Sequence, residues 1–281
     1  MLLFYHKSII CKVVRKVMSE KIDKEMVIAH KKLCIRKINN LFEGYINSED
    51  IEDLKKVNLL SYWLENFSDY IRKEKDFDVT RLKAYKRGDV IKLNFGFNVG
   101  REYGGLHYAV VINNNNPRNS AVLTVIPLTS FKEGKEVHEN DVFLGNEIYR
   151  SLKLKHDTIL KSLEGDEKVV SAILSICDKI LNVENKNNTK SDNSKEVALD
   201  LRNDLLEKQK KNIEIKKQIE KIGTEIKKMK QGSIALVEQI TTVSKMRIYD
   251  PRNSKGVLSG IRLSPDAMDK INKQMKKLYI F

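Results

Sequence analysis

Five side chains able to move protons, carry charge or stack fall in one loop and the start of the run after it: Arg101, Glu102, Tyr103, His107 and Tyr108. Further along, an apolar run ends in two hydroxyls, Thr129 and Ser130. An imidazole titrates near neutrality and serves as either acid or base. A guanidinium grips an anionic oxygen in a fixed fork. Each of these residues also has a plain structural reading. A histidine beside a tyrosine is often structural, and a threonine ending a strand often satisfies its own backbone. Phe97, Tyr103 and Tyr108 can stack on planar groups such as nucleic-acid bases, or simply edge a core.

The elements that must hold these residues lie between Lys86 and Ser130. Ile91, Leu93 and Phe95 alternate with Lys92 and Asn94, the period of a half-buried strand. Ala109 to Ile112 and Val122 to Leu128 are apolar, β-branched runs bounded by Gly, Asn and Pro, which predicts inner strands. Asp141 to Gly145 reads as a short fourth strand. The glycines at 100, 104 and 105 mark a loop and make no dinucleotide fingerprint, because no helix is expected after them. The sequence holds no GxxxxGK[ST] phosphate loop and no GxSxG elbow.

Composition sets the outer limits. The chain has 281 residues, 32% of them charged, and a net charge of +14 spread along its length. A basic balance suits a polyanionic partner such as RNA, although lysine-rich solubility gives the same number. Cys11, Cys34 and Cys177 are far apart and odd in number, with no Cys/His metal spacing, so neither a disulfide framework nor a zinc site is expected. Reduced thiols point to the cytoplasm. No apolar run approaches a membrane span. The apolar start is interrupted by Lys7 and Lys12 and reads as no signal peptide, and Met18 offers an alternative translation start.

Around the strands the pattern is helical. Ser19 to about Asn40 predicts a basic amphipathic helix with Met26, Leu33, Ile38 and Leu41 on its buried side. Ser48 is placed to cap a second helix, with acidic residues in its first turn. Its stripe of Ile51, Leu54, Leu60, Leu64, Phe67 and Ile71, joined by Trp63, would pack on the strands or receive a partner. From Ile148 to Lys230 there is no proline. Leu152 to Val183 and Lys195 to Lys230 read as two long helices joined through 182–194. Leu201, Leu205, Lys208, Asn212, Ile215, Ile219, Ile222, Ile226 and Met229 form a heptad seam in the second, with two polar interruptions. An antiparallel hairpin brings both ends back to the strands. Ser233 to Val243 reads as one further strand, and Ser264-Pro265 starts a last helix with Met268, Ile271, Met275 and Leu278 buried.

Four of these parts resemble the MazF/PemK family of toxin endoribonucleases. They are Arg87-Gly88-Asp89-Val90 at a strand start, the Gly100–Gly105 loop running into an apolar strand, Pro127-Leu128-Thr129-Ser130, and 233–245. The resemblance implies an SH3-like small barrel; the helices read from the residues make the whole an α+β fold, with N-terminal helices, an inserted helical hairpin and a C-terminal helix. The resemblance, taken with those helices, sets boundaries at 1–82 for the helical region, 83–147 with 231–281 for the barrel, and 148–230 for the insertion. It also implies metal-independent cleavage of single-stranded RNA through the 2′-OH, with no cofactor, a homodimer, and an antitoxin protein covering the same groove.

By the same resemblance His107 stands where the family carries an arginine at the scissile phosphate, and Thr129 and Ser130 stand at its hydroxyl position. An imidazole there can take or give a proton but cannot replace a bidentate phosphate grip. Arg101 is the candidate to supply that charge. Glu102 matches a loop carboxylate that accepts a proton or orients His107 and Arg101, and Gln239 matches a position near bound RNA. Two other readings share the sequence. One is a non-catalytic module on the same barrel that holds RNA or, like gyrase-poisoning relatives, a protein. The other is a helical scaffold in which the hairpin is the working part.

Overall fold

The computed structural model describes residues 22–134, 136–187, 192–230 and 232–280. The expectations for the first 21 residues, Cys11 and Met18 included, and for the centre of the 182–194 connection therefore lie outside the described residues. The chain divides into two compact units at 68/69.

The first unit is built from α1 (Lys24–Ile46) and the greater part of α2 (Ile51–Lys73). The Asp23 side chain caps α1 by accepting from the Met26 N–H at 3.3 Å. The turn into α2 is held by Ser48 Oγ, which accepts from Asp50 N–H, and by Asp50 Oδ1, which accepts from Glu52 N–H. The cap is thus shared between Ser48 and Asp50. The predicted buried side of α1 is exposed instead: none of its residues is buried. Only Val57 is buried in α2, although Leu60, Trp63 and Leu64 are half-covered. Two helices alone have too little depth to hide a stripe on each.

The second unit is organised by a seven-stranded antiparallel sheet: β1 (Val90–Asn94), β2 (Leu106–Val111), β3 (Val122–Ser130), β4 (Val142–Gly145), β5 (Ser233–Ala235), β6 (Thr241–Ser244) and β7 (Ile248–Asp250). Its order is β4-β5-β3-β2-β1-β7, with β6 also on β3. The long β3 is the spine, pairing β2 on one edge and both β6 and β5 on the other. No ladder joins the two ends of the sheet among the described residues, so it is curled but open.

The single strand expected over 233–243 is broken by a 3-10 turn at Val237–Gln239. Pro127 gives the reason. Its carbonyl accepts from Leu236 N–H at 3.0 Å, so its missing N–H faces the same edge. The ladder loses its next bond there, and the chain turns away before pairing again as β6.

Alternation along the strands makes two cores. Val90, Val110, Ile126 and Leu128 point to the helices, where they meet Ile148, Leu152, Ile222, Met268 and Ile271. Ile91, Leu93, Phe95, Ala109, Val111, Leu123 and Val125 point the other way and enclose Tyr85. Burial on both faces explains why β2 and β3 read as unbroken apolar runs.

Two long helices, α3 (Glu147–Asn187) and α4 (Asp192–Lys228), link β4 to β5. They pair along Leu163, Val170 and Cys177 on one and Leu205, Asn212, Ile219 and Ile222 on the other, all buried. The predicted seam departs at its far end, where Ala198 is buried and Leu201 is exposed, and at Lys208, which reaches Asp166 at 3.1 Å. Such surface pairs contribute about 0–1 kcal/mol each, so the apolar seam is what holds the hairpin. The last helix, α5 (Pro265–Tyr279), starts as expected: Ser264 Oγ accepts from Ala267 N–H at 3.2 Å, and Ala267, Met268 and Ile271 are buried. No described helix is long and apolar enough to cross a membrane.

Candidate active site

The loop between β1 and β2 folds back on itself. Phe95 N–H donates to Gly105 O at 2.8 Å and Gly105 N–H to Gly96 O at 2.7 Å. A Cβ on Gly104 would lie 2.7 Å from Gly96 O, and Gly105 holds φ +89°, so both positions need glycine. The loop is pinned from outside by Gln239. Its Oε1 accepts from Tyr103 N–H at 3.1 Å and its Nε2 donates to Arg101 O at 3.3 Å. Asn98 Nδ2 adds a bond to Tyr103 O at 2.8 Å.

That pinning fixes Tyr103 against His107, their ring centroids 4.6 Å apart. The Tyr103 hydroxyl donates to Leu128 O at 3.1 Å. Burial pushes its phenol above the usual value, while a hydrogen bond with Thr129 acts the other way. The last β2–β3 register pair is Tyr108–Leu128. One step further out, His107 and Thr129 lie across from each other at the end of the sheet. Both are half-buried.

A cavity of about 210 Å³ opens at this end, lined by His107, Tyr108, Thr129 and Ser130 and closed on its far side by Glu225 and Lys228 at the end of α4. Lys92 enters it from β1, where the register sets it beside Tyr108. The Lys92 ammonium lies 5.3 Å from the centre of the Tyr108 ring. Both Lys92 Nζ and the Tyr108 hydroxyl donate to the same Glu225 oxygen. Burial raises the Glu225 carboxyl, but those two bonds and the charges of Lys92 and Lys228 outweigh it and hold the group below its usual value. Burial, then the Glu225 bond, drives the Tyr108 phenol up. Burial, and after it the charge of Lys92, lowers His107 below 6.5.

The site residues expected from sequence therefore separate. His107, Tyr108, Thr129 and Ser130 share one cavity. Glu102, Tyr103 and Gln239 line a neighbouring one of about 360 Å³ with Arg247, and the Tyr103 ring stands between the two. Glu102 is exposed and its carboxylate accepts from Val99 N–H at 3.4 Å. Arg101 is exposed, lines neither cavity, and gives its carbonyl to Gln239. Sequence reasoning missed Lys92, Glu225 and Lys228. Lys92 was visible only as the polar half of an alternating strand. Glu225 is 133 positions away from it, on the hairpin, and only the fold brings the two together. No group of three or more histidines, cysteines or carboxylates able to hold a metal occurs among the described residues.

What this arrangement can do is proton transfer next to an anion: a neutral imidazole, hydroxyls, and lysines at the wall of a small polar recess. No curated protein matches the chain. Residues 86–164, from the entry to β1 through β4 and into α3, match the family model of the PemK-like, MazF-like toxin of type II toxin-antitoxin system.

Proposed function

We propose that this protein is the toxin of a type II toxin–antitoxin pair and that it cuts single-stranded RNA without a metal. The single observation that supports this most is the convergence of His107 and Thr129 on one recess walled by lysines. In this reading the neutral His107 imidazole takes the proton of a ribose 2′-OH. The 2′-oxygen attacks phosphorus, the bond to the 5′-oxygen breaks, and that oxygen leaves with a proton from water. The products are a 2′,3′-cyclic phosphate and a 5′-OH. The Thr129 and Ser130 hydroxyls donate to the non-bridging oxygens, and Tyr108 and Tyr103 border the path of the neighbouring bases.

The same reading takes the curled sheet as an SH3-like barrel whose chain leaves near 147 and returns near 231, with 148–230 as an insertion. It also takes the active form as a homodimer, and the antitoxin as a protein that covers the recess. The test is direct. Folded protein is incubated with single-stranded RNA of mixed sequence in EDTA, and new 5′-OH ends are counted by phosphate labelling. Cleavage is expected. RNA that is bound but left whole makes the protein a binding module instead.

A further inference from the structure

We infer that Lys92 is the cation that stabilises the phosphate during cleavage, and that Glu225, carried by the hairpin, is the positioning residue that aims it. This rests on the endoribonuclease reading above. Attack on phosphorus adds negative charge to oxygens already anionic, so a cation fixed nearby lowers the barrier more than one that must first be ordered. His107 does not fill that role while it serves as a neutral base. Arg101 points its chemistry elsewhere, since it is exposed and outside the recess. Lys92 is inside it, its side chain 19% exposed.

A lysine is a flexible stem ending in a point charge, and holding it still takes a partner. Glu225, 15% exposed, provides one, and the Tyr108 ring beneath the ammonium provides a second surface. An ammonium has three N–H donors, and Glu225 accepts from Lys92 through one oxygen, Oε1. Donors are left for a phosphate oxygen. Glu225 also accepts from Tyr108, so one carboxylate sets two walls of the recess. The hairpin is then part of the active site: α4 delivers Glu225 across β1 and β2, while the sheet's own carboxylate opposite Lys92, Asp250, accepts from the Val257 and Leu258 N–H groups.

The experiment compares full-length wild type with Lys92→Gln, Glu225→Gln, Glu225→Asp and the double variant Lys92→Gln/Glu225→Gln, each checked for folding by thermal melt. Steady-state cleavage of single-stranded RNA is followed from acid to neutral pH. Lys92→Gln is expected to lose about 10²-fold in kcat, the lower end for removing one fixed oxyanion donor. Glu225→Gln is expected to lose about ten-fold in kcat with KM nearly unchanged, a loss partly rescued by aspartate. The double variant should be no slower than Lys92→Gln, because Glu225 acts through Lys92. The acidic limb of the profile should move up in Lys92→Gln, where His107 loses a neighbouring cation, and down in Glu225→Gln, where that cation loses its counter-charge. Full cleavage by Lys92→Gln, or losses that simply multiply in the double variant, overturns the inference while leaving the nuclease reading intact. A folded wild type that cuts no RNA overturns both.

Discussion

The ring of Tyr103 lies 4.6 Å from that of His107, tilted by 50°. On its other side Tyr103 meets Phe95 edge-on at 5.6 Å, and its hydroxyl donates to Leu128 O, the carbonyl just before Thr129. One half-buried aromatic thus touches Phe95 at the start of the β1–β2 loop, the candidate base and the strand that carries the hydroxyl. The β2–β3 ladder sets how far apart His107 and Thr129 stand, and Tyr103 sets how the imidazole is turned between them.

Removing the ring should matter more than removing its hydroxyl. Tyr103→Phe forfeits the hydroxyl's bonds to Leu128 O and Thr129, about 1 kcal/mol of stability each, and should keep cleavage within a few-fold of wild type. Tyr103→Leu removes the surface that orients the imidazole and should lose on the order of ten-fold in kcat. Thermal melts and steady-state cleavage separate the two effects. Equal losses in both variants would show that the hydroxyl, not the ring, is what counts.

His107 should set the acidic limb of the pH profile. A base works in its neutral form, so activity falls as pH drops through its pKa. Burial and the Lys92 charge put that value below the ordinary 6.5, and the limb should lie below 6.5 accordingly. His107→Ala should lower the rate by about 10²-fold and abolish the limb. The linkage to stability has the same sign. A histidine whose folded pKa is depressed binds its proton better when unfolded, so its contribution is lost as pH falls from 6.5 toward the folded value. In His107→Ala that part of the acid destabilisation should vanish in denaturant titrations.

Much of the fold was readable in advance because it is local. Alternation placed β1, apolar runs placed β2 and β3, and Ser264-Pro265 placed the start of α5. The break in 233–243 was hidden because it originates in Pro127, on another strand. The exposed stripes of α1 and α2 show the limit of periodicity: it says which face is apolar, not whether anything covers it. The candidate site divides the same way. His107 and Thr129 sit at positions that motif and register both mark, whereas the Lys92–Glu225 pair depends on where a distant helix ends.

The Arg87-Gly88-Asp89 signature is structural, and Asp89 is its centre. The Asp89 carboxylate is buried, accepts from Lys86 N–H at 3.0 Å, and pairs with Arg262 at 2.8 Å and Lys83 at 3.4 Å. Gly88 beside it holds φ +84°, and a Cβ there would also meet Arg262 at 3.1 Å. Asp89→Asn leaves two cations facing a neutral amide and should destabilise the second unit by about 3 kcal/mol. Chemical denaturation gives the number. A loss well under 1 kcal/mol would mean that the cations relax into solvent.

Inside the hairpin, Asn212 is 4% exposed and its Nδ2 meets no acceptor among the described residues. It sits in the seam with Leu205 and Ile219 one heptad to either side. A buried amide left unpaired destabilises by about 1–3 kcal/mol, and residues of this kind persist in coiled seams where they fix register. Asn212→Leu should therefore raise the melting temperature while widening the set of pairings open to α3 and α4. Cysteines placed at positions 178 and 202, whose native side chains Asp178 and Arg202 form a cross-helix pair at 3.2 Å, report on that choice. Cross-linking should be efficient in the otherwise native chain and weaker once position 212 is leucine. Equal yield with a higher melting temperature would show that Asn212 carries a stability penalty and no role in register.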